Sequence, residues 1–572
     1  MRYHVLATDY DGTLAAQGHV NEAIIGKLQQ LRAAGRRLIL VTGREMKDLE
    51  IVCPGYKVFD HIVAENGALL HDPSTGKEQL LGPSPDASFV KALEERGVHP
   101  ISVGKVIVAT WEPHEKTVLE VIKESGVERQ LIFNKGAVMI LPPGVNKATG
   151  LQALLRSLHL SVHNTVAIGD AENDSALLQT AECAVAVSNA LASLKAAADW
   201  VTGHAHGEGV MELIDRLIGN DLVALDAKLQ RHYLELGTLK DGSPFTLSPY
   251  RSGLLVAGVS GGGKTTLTLT IVESMVRQGY QFCLIDPEGD YLQLPGAVVM
   301  GTETTLPPIE EIGSLLKDPA QNLVICTLSV PLADRPAFFA RLLTVLLELR
   351  REYGHPHWLL LDEAHHLLPA PGGLDAPDLN NFILISTSPH ALSAATLSKV
   401  GMVLTIGENA AYPIEQFCQV LGLPVPAGIP ALGENEICVW DRNGSIGPDG
   451  SLTPGDPGAP FTAHYNMPQQ LQQRHKKKYA QGDMGGNSFI FTGRENQLHL
   501  VANNLMLFLH IAEGIDTDTW LFHLGRKDFS NWLRSSVHDE ELAKIAEEAE
   551  KMHDAVASKR LLLDAIGKKY TG

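Results

Sequence analysis

Short apolar runs alternate with helical segments twice along this chain, and that double alternation restricts it to two successive α/β units. The first block covers about 1–220. Residues 3–8, 37–42 and 165–169 are short, mainly apolar runs and read as buried parallel strands. Residues 22–34 and 147–158 carry helical spacing between them. A stretch near 83–140 interrupts the alternation, with strand-like runs at 101–111 and 130–141 around a helical 113–125, and reads as a small inserted α+β cap. Residues 221–248 read as a connector. The second block, 249–441, repeats the pattern with strands expected at 253–258, 281–286, 322–327, 358–362, 382–386 and 401–406.

Beyond 441 the composition changes. Residues 443–460 are rich in Gly, Pro, Asp and Ser, so 442–485 reads as a linker. It holds a short basic run, Arg474-His475-Lys476-Lys477-Lys478, which reads as a solvated face. Residues 486–572 have helical periodicity, with Asp528 or Ser530 as a candidate cap and Trp520 and Trp532 as core anchors of a docking or regulatory bundle.

A length of 572 residues at roughly 100–200 per domain agrees with three or four domains. The net charge of −19 argues against a global attraction to nucleic acid. Six cysteines, none in a C-x-x-C pair and most in apolar runs, suit reduced, buried thiols in a cytoplasmic protein. An acid at position 9 comes too early for a signal peptide, and no run of about 20 apolar residues could span a bilayer.

The first strand ends in Asp9-Tyr10-Asp11-Gly12-Thr13. Ligands of open α/β sheets bind beyond the carboxyl ends of the strands, where these acids sit. Asp9 is placed to attack phosphorus and Asp11 to protonate a leaving oxygen and then activate water, while Gly12 lets the chain turn away. Thr42, Gly43 and Arg44 end another strand and are candidates for phosphoryl oxygens. Lys147, ahead of a helix, can neutralise both phosphate and nucleophile. Asp170-Ala171-Glu172-Asn173-Asp174 follows a third strand: Asp170 and Asp174 join Asp9 and Asp11 as candidate metal ligands, and Asn173 as a phosphate contact. An oxygen-only set favours Mg²⁺ over zinc.

With all four motifs in order, residues 1–220 resemble the haloacid dehalogenase superfamily, in its Cof-like branch with a cap between the second and third motifs. The resemblance implies a Rossmann-like phosphatase domain acting on a small phosphorylated metabolite, often a sugar phosphate.

In the second block, Gly258-Val259-Ser260-Gly261-Gly262-Gly263-Lys264-Thr265-Thr266 lies between a strand and a helix. Its amides can curl round the phosphates of ATP, Lys264 can reach the β- and γ-phosphates, and Thr265 can ligate Mg²⁺. Asp362, at the end of an apolar strand, would hold the metal through water, and Glu363 would polarise the attacking water. Together with Asp286-Pro287-Glu288-Gly289-Asp290-Tyr291 and His365-His366, these motifs make residues 249–440 resemble the HerA/FtsK-like P-loop motor ATPases, a RecA-like α/β fold. The resemblance implies a homo-oligomer, in those relatives typically a ring-shaped hexamer. It also implies a polar sensor at Thr387 or Ser388 and an arginine supplied between subunits, for which Arg335, Arg341, Arg350, Arg351 and Arg442 are candidates. His365 and His366 read as structural rather than as metal ligands. Three readings of the whole chain stay open: a phosphatase tethered to an ATPase, a nucleic-acid motor whose first domain works on a nucleotide or DNA end, and a signalling or assembly protein whose ATPase controls the phosphatase.

Overall fold

A computed structural model describes residues 1–250, 253–370, 380–442, 444–446, 452–454, 458–468, 488–494, 498–537, 539–552 and 554–570. The basic run at 474–478 lies outside the described residues. The chain divides into two compact units, Met1–Tyr465 and Asn466–Gly572.

The first sheet has eight strands in the order Trp200–Val201, Cys183–Ala186, Thr165–Gly169, Val5–Asp9, Arg37–Val41, His61–Ala64, Leu69–His71, Glu78–Leu80. Val5–Asp9 is buried along its whole length, which its unbroken apolar run requires. It pairs in parallel with Thr165–Gly169 on one side and Arg37–Val41 on the other, Thr8 level with Ile168 and Asp9 level with Val41. The chain runs outward in one direction to His61–Ala64, then returns to the other side of Val5–Asp9, so the switch point falls at this strand.

The cap is a four-stranded antiparallel sheet, in the order Ser102–Val103, Val108–Trp111, Ala137–Leu141, Gln130–Asn134, packed on helices Ala87–Glu95 and Glu115–Ser125 through Phe89, Leu93, Val118 and Val121. Glu65 ties the cap to the first sheet. Its buried carboxylate accepts from the backbone N–H groups of Lys105, Val106 and Ile107 at 2.9, 2.8 and 3.0 Å.

The second sheet has eleven strands. Seven run parallel, in the order Val400–Ile406, Gly253–Ala257, Phe382–Ser386, Trp358–Leu361, Phe282–Asp286, Asn322–Cys326, Ala297–Met300. Four antiparallel strands continue it past Val400–Ile406: Glu436–Asp441, Phe461–Tyr465, Leu234–Leu239 and Pro244–Leu247. Two sequence expectations change here. The connector at 221–248 supplies a β-hairpin to this sheet, and the linker expected over 442–485 holds the strand Phe461–Tyr465. Both segments are short and gain their order from main-chain pairing with neighbours distant in sequence, a contribution no local pattern announces.

Glu182 joins the two sheets' territories. Its carboxylate, 1% exposed, meets His163 Nδ1 at 2.6 Å and accepts from the hydroxyls of Tyr250 and of Tyr280, the latter at 2.7 Å. His232 lies 3.5 Å away, and His163 stacks on Tyr280. Burial alone would raise this acid, but His163, His232 and Tyr250 outweigh it and hold Glu182 at about 2.

Among its described residues, the unit at Asn466–Gly572 has five helices, Leu505–Gly514, Thr517–Gly525, Asp528–Ser535, Glu540–Glu550 and Ala555–Tyr570, and a small ribbon of Phe489–Phe491 with Leu500–Ala502. Trp520 and Trp532 are buried among Phe489, Phe508 and Phe529. The capping side chains are Asn504, Asp516 and Asp539, whereas Asp528 turns instead to His523 at 2.8 Å. Among the described residues no helix is long and apolar enough to cross a membrane, and all six cysteines are unpaired and buried.

Candidate active site

The carboxyl ends of three adjacent strands bring Asp9, Thr42 and Asp170 together, and the helix Lys147–Ser157 adds a lysine from below. Asn146 fixes that lysine. Its side chain accepts from Thr149 N at 3.0 Å while the Thr149 hydroxyl accepts from Asn146 N, a reciprocal cap that sets where the first helical residue points. Lys147 Nζ then donates to Asp9 Oδ1 and Asp174 Oδ1, both at 2.6 Å, with the lysine 1% exposed. The second oxygen of Asp174 accepts the backbone N–H groups of Asp170 and Ala171 at 3.0 Å each.

Asp9, Asp170 and Asp174 are all buried, and one ligand oxygen from each lies within 4.8 Å of the others. Burial first, and then the charge of Asp174, push Asp9 up to about 7 against the pull of Lys147. Burial also raises Asp170, although Lys135 works against it. Lys147 is raised as well: burial disfavours its charge, but Asp174 and Asp9 outweigh that and hold it above the ordinary lysine range. Three buried acids around one buried lysine keep an excess of negative charge. Such an all-oxygen set fits a hard divalent cation.

Gly12 closes this corner at φ +88°, and a Cβ there would fall 2.3 Å from Asp170 Oδ2, so no larger residue fits. Thr13 donates to Asp170 at 3.3 Å. Asp11 was expected to offer its carboxylate as a metal ligand. That group instead turns to Arg44, which clasps it with two bonds of 2.7 Å, and only its backbone carbonyl faces the acids. Arg44, expected on phosphate, is committed to Asp11 and Asp48. Thr42 is buried and its hydroxyl accepts from Arg44 N at 3.1 Å. Gly43 sits close to the cap's Met139, and Asn173 donates to Asn66 at 3.0 Å.

Sequence reasoning missed Lys135, Asn189 and His206. Lys135 descends from the cap to donate to Asp170 Oδ2 at 2.8 Å and the Asp11 carbonyl at 2.9 Å. Asn189 donates to the Gly12 carbonyl at 2.8 Å, and the His206 ring meets the same oxygen at 2.8 Å. All three lie far from the acid motifs in sequence and carry no local signature.

The second set of motifs converges at the far sheet. Gly261 and Gly263 adopt φ +72° and +102°, which curl the loop ahead of the helix Lys264–Gln278. Lys264 folds over its own loop to Val259 O at 3.2 Å, and the Thr265 hydroxyl donates to Asp290 at 3.2 Å. Asp286 holds the following turn: its carboxylate accepts from the N–H groups of Glu288, Gly289, Asp290 and Tyr291. Asp362 is buried and raised well above the ordinary carboxylate range, by burial first and then by Glu363 and Asp286. Glu363, at φ +40°, is raised by burial and lowered by Lys264 and by hydrogen bonds from Thr387. His365 lies 3.3 Å from Glu363 and 3.1 Å from the Ser386 hydroxyl.

Three arginines named as candidates for transfer between subunits are otherwise engaged. Arg350 is directed at the carbonyls of Pro356, His357, Asn380 and Asn381, Arg335 at those of Val330 and Pro287, and Arg442 at that of Val400. These contacts finish loops and strand ends within the chain. Arg341 and Arg351 remain exposed.

A family model of haloacid dehalogenase-like hydrolases matches residues 6–103 and 93–214. The phosphoglycolate phosphatase of Methanothermobacter thermautotrophicus is 30% identical over 223 residues, which is 37% of this chain and 98% of that protein. Phosphoglycolate phosphatase 2 of Saccharolobus solfataricus is 30% identical over 38% of this chain and 93% of its own length. The phosphoglycolate phosphatase of Haloarcula marismortui is also 30% identical, over 36% of this chain and 95% of its own.

Proposed function

Through its first 214 residues this chain belongs to the haloacid dehalogenase-like hydrolases, and from that premise we propose that it is a phosphatase of small phosphorylated carboxylic acids with Asp9 as its nucleophile. The observation that carries the reading is the Lys147 ammonium bridging Asp9 and Asp174 at the switch point of the first sheet. The expectation of a small phosphorylated metabolite of sugar-phosphate type shifts here to a phosphorylated carboxylic acid, because the relatives that match almost end to end are named for phosphoglycolate.

An Asp9 oxygen attacks phosphorus, the ester bond to the leaving oxygen breaks, and Asp11, which must first turn from Arg44 and take up a proton, hands that proton to the leaving oxygen. Lys147 pulls Asp9 towards its ionised form for the attack, against burial and Asp174, and balances charge on the phosphoryl oxygens. Thr42 and the amides beside it bind those oxygens from the neighbouring strand end. Asp11, now deprotonated, takes a proton from water, which attacks the aspartyl-phosphate and releases inorganic phosphate with Asp9 restored. Mg²⁺ held by Asp9, Asp170 and the Asp11 carbonyl, with Asp174 behind them, would supply charge stabilisation for the transferring group. Release of phosphate from 2-phosphoglycolate, glucose 6-phosphate and p-nitrophenyl phosphate tests the reading. The first should turn over fastest, and no hydrolysis of any of them would overturn it.

The metal has a signature of its own. A carboxyl whose folded-state value is raised, as at Asp9, binds its proton more tightly folded than unfolded. Its contribution to stability is full below the unfolded value near 3.8 and is lost as pH climbs to about 7. A divalent cation among the acids compensates the charge that builds up over that window. Thermal melts should therefore show Mg²⁺ raising Tm more at pH 8 than at pH 5, and an equal shift at both would count against this site.

We further propose that the second module hydrolyses ATP, with Lys264 and Thr265 on the phosphates and metal, Asp362 behind the metal and Glu363 on the attacking water. This is supported by Glu363 lying under the influence of both Lys264 and Thr387, beside the loop that carries Lys264.

A further inference from the structure

The cap strands Gln130–Asn134 and Ala137–Leu141 are joined by two residues, Lys135 and Gly136, both with positive φ, +49° and +85°. A two-residue turn of this kind favours Asn or Gly at its first position, and a left-handed lysine is a strained choice there. The turn carries the lysine to the acid cluster. Lys135 Nζ donates to Asp170 Oδ2 and to the Asp11 carbonyl, and a Cβ on Gly12 would come within 2.5 Å of it.

Those two oxygens are the ones a divalent cation in the acid cluster would need, so lysine and metal exclude each other there. The other cations near the acids have no such freedom. Lys147 is buried between Asp9 and Asp174, and Arg44 is clasped to Asp11 and Asp48. Lys135 is about half exposed, on a flexible four-carbon stem.

Resting on the phosphatase reading above, we propose that Lys135 is an exchangeable cation: it yields Asp170 and the Asp11 carbonyl to the metal, then pairs with a second anionic group on the substrate. The cap thereby selects phosphate esters that carry a carboxylate over those that do not. The exchange also orders assembly, since the lysine is delivered to substrate only after the metal has taken its place.

The test uses the full chain with Lys135→Asn, which suits the turn and removes the charge, and Lys135→Arg, which restores a charge. Two quantities are read: Mg²⁺ affinity by titration calorimetry, and the ratio of kcat/KM for 2-phosphoglycolate to that for p-nitrophenyl phosphate. Lys135→Asn should bind Mg²⁺ several-fold tighter and lower the ratio by about tenfold or more, as loss of a charge-assisted contact implies. Lys135→Arg should recover most of the ratio. Unchanged Mg²⁺ affinity, or equal loss on both substrates, overturns the inference while leaving the phosphatase intact. If the unaltered chain hydrolyses neither substrate, the phosphatase reading falls first and this one with it.

Discussion

Asp9→Asn should reduce phosphate release by on the order of 10³-fold or more, the scale seen when a covalent nucleophile is removed. The amide is isosteric, so the sheet around a residue 4% exposed keeps its packing. Folding should also survive on electrostatic grounds. The native site crowds three acids around Lys147, and Asp9 already sits near 7, so a neutral side chain there removes a repulsion rather than a needed charge. Lys147 keeps Asp174 as its partner at 2.6 Å. The measurement is steady-state phosphate release beside a thermal melt. Wild-type turnover in a folded variant would show that the nucleophile lies elsewhere, whereas loss of fold would leave the companion variant Asp9→Glu, which keeps the charge but misplaces it by a methylene, to decide.

The second large effect belongs to Lys264→Ala. If the second module hydrolyses ATP as proposed, this change removes the loop's one lysine from the β- and γ-phosphates, and ATP hydrolysis should fall to background while 2-phosphoglycolate hydrolysis stays at its wild-type rate. Removing it should leave the loop itself in place, because the curl depends on Gly261 and Gly263 at positive φ and not on the single 3.2 Å bond from Lys264 to Val259 O. Coupled-enzyme detection of ADP and malachite-green detection of phosphate from 2-phosphoglycolate separate the two outcomes on one preparation. Retained ATP hydrolysis would remove the second module from consideration as an ATPase.

The parts of these sites that could be read from sequence share one property: each is a strand followed at once by its chemistry. Asp9, Thr42 and Asp170 each follow an apolar run, and parallel strands must end on the same edge, so their meeting follows from pattern alone. The same logic placed Lys264 and Asp362. What sequence did not reveal is set by distant pairing or by side-chain direction. Lys135 reaches Asp11 across 124 positions through a cap whose docking depends on Glu65, an acid that looks like any loop residue. The Asp11 carboxylate belongs to Arg44 because of a rotamer, not a spacing. Phe461–Tyr465 looked like linker because a Gly- and Pro-rich run precedes it, and its order comes from pairing with Glu436–Asp441 and Leu234–Leu239. Arg350 looked like any helix-end arginine, yet its donors finish loops far along the chain.

Glu182 has one more consequence. Tyr280 follows the helix that starts at Lys264, separated from its last turn only by Gly279, and Glu182 comes two residues after the helix Ser175–Thr180, which starts next to Asp174. A buried anion is thus satisfied from both directions, by His163 of its own half and by Tyr250 and Tyr280 of the other. Cutting the chain near residue 220 would strip away the tyrosines and His232 and leave the Glu182 carboxylate with His163 as its one remaining partner among these. The first 220 residues therefore lean on side chains that lie beyond them, although relatives match them almost end to end.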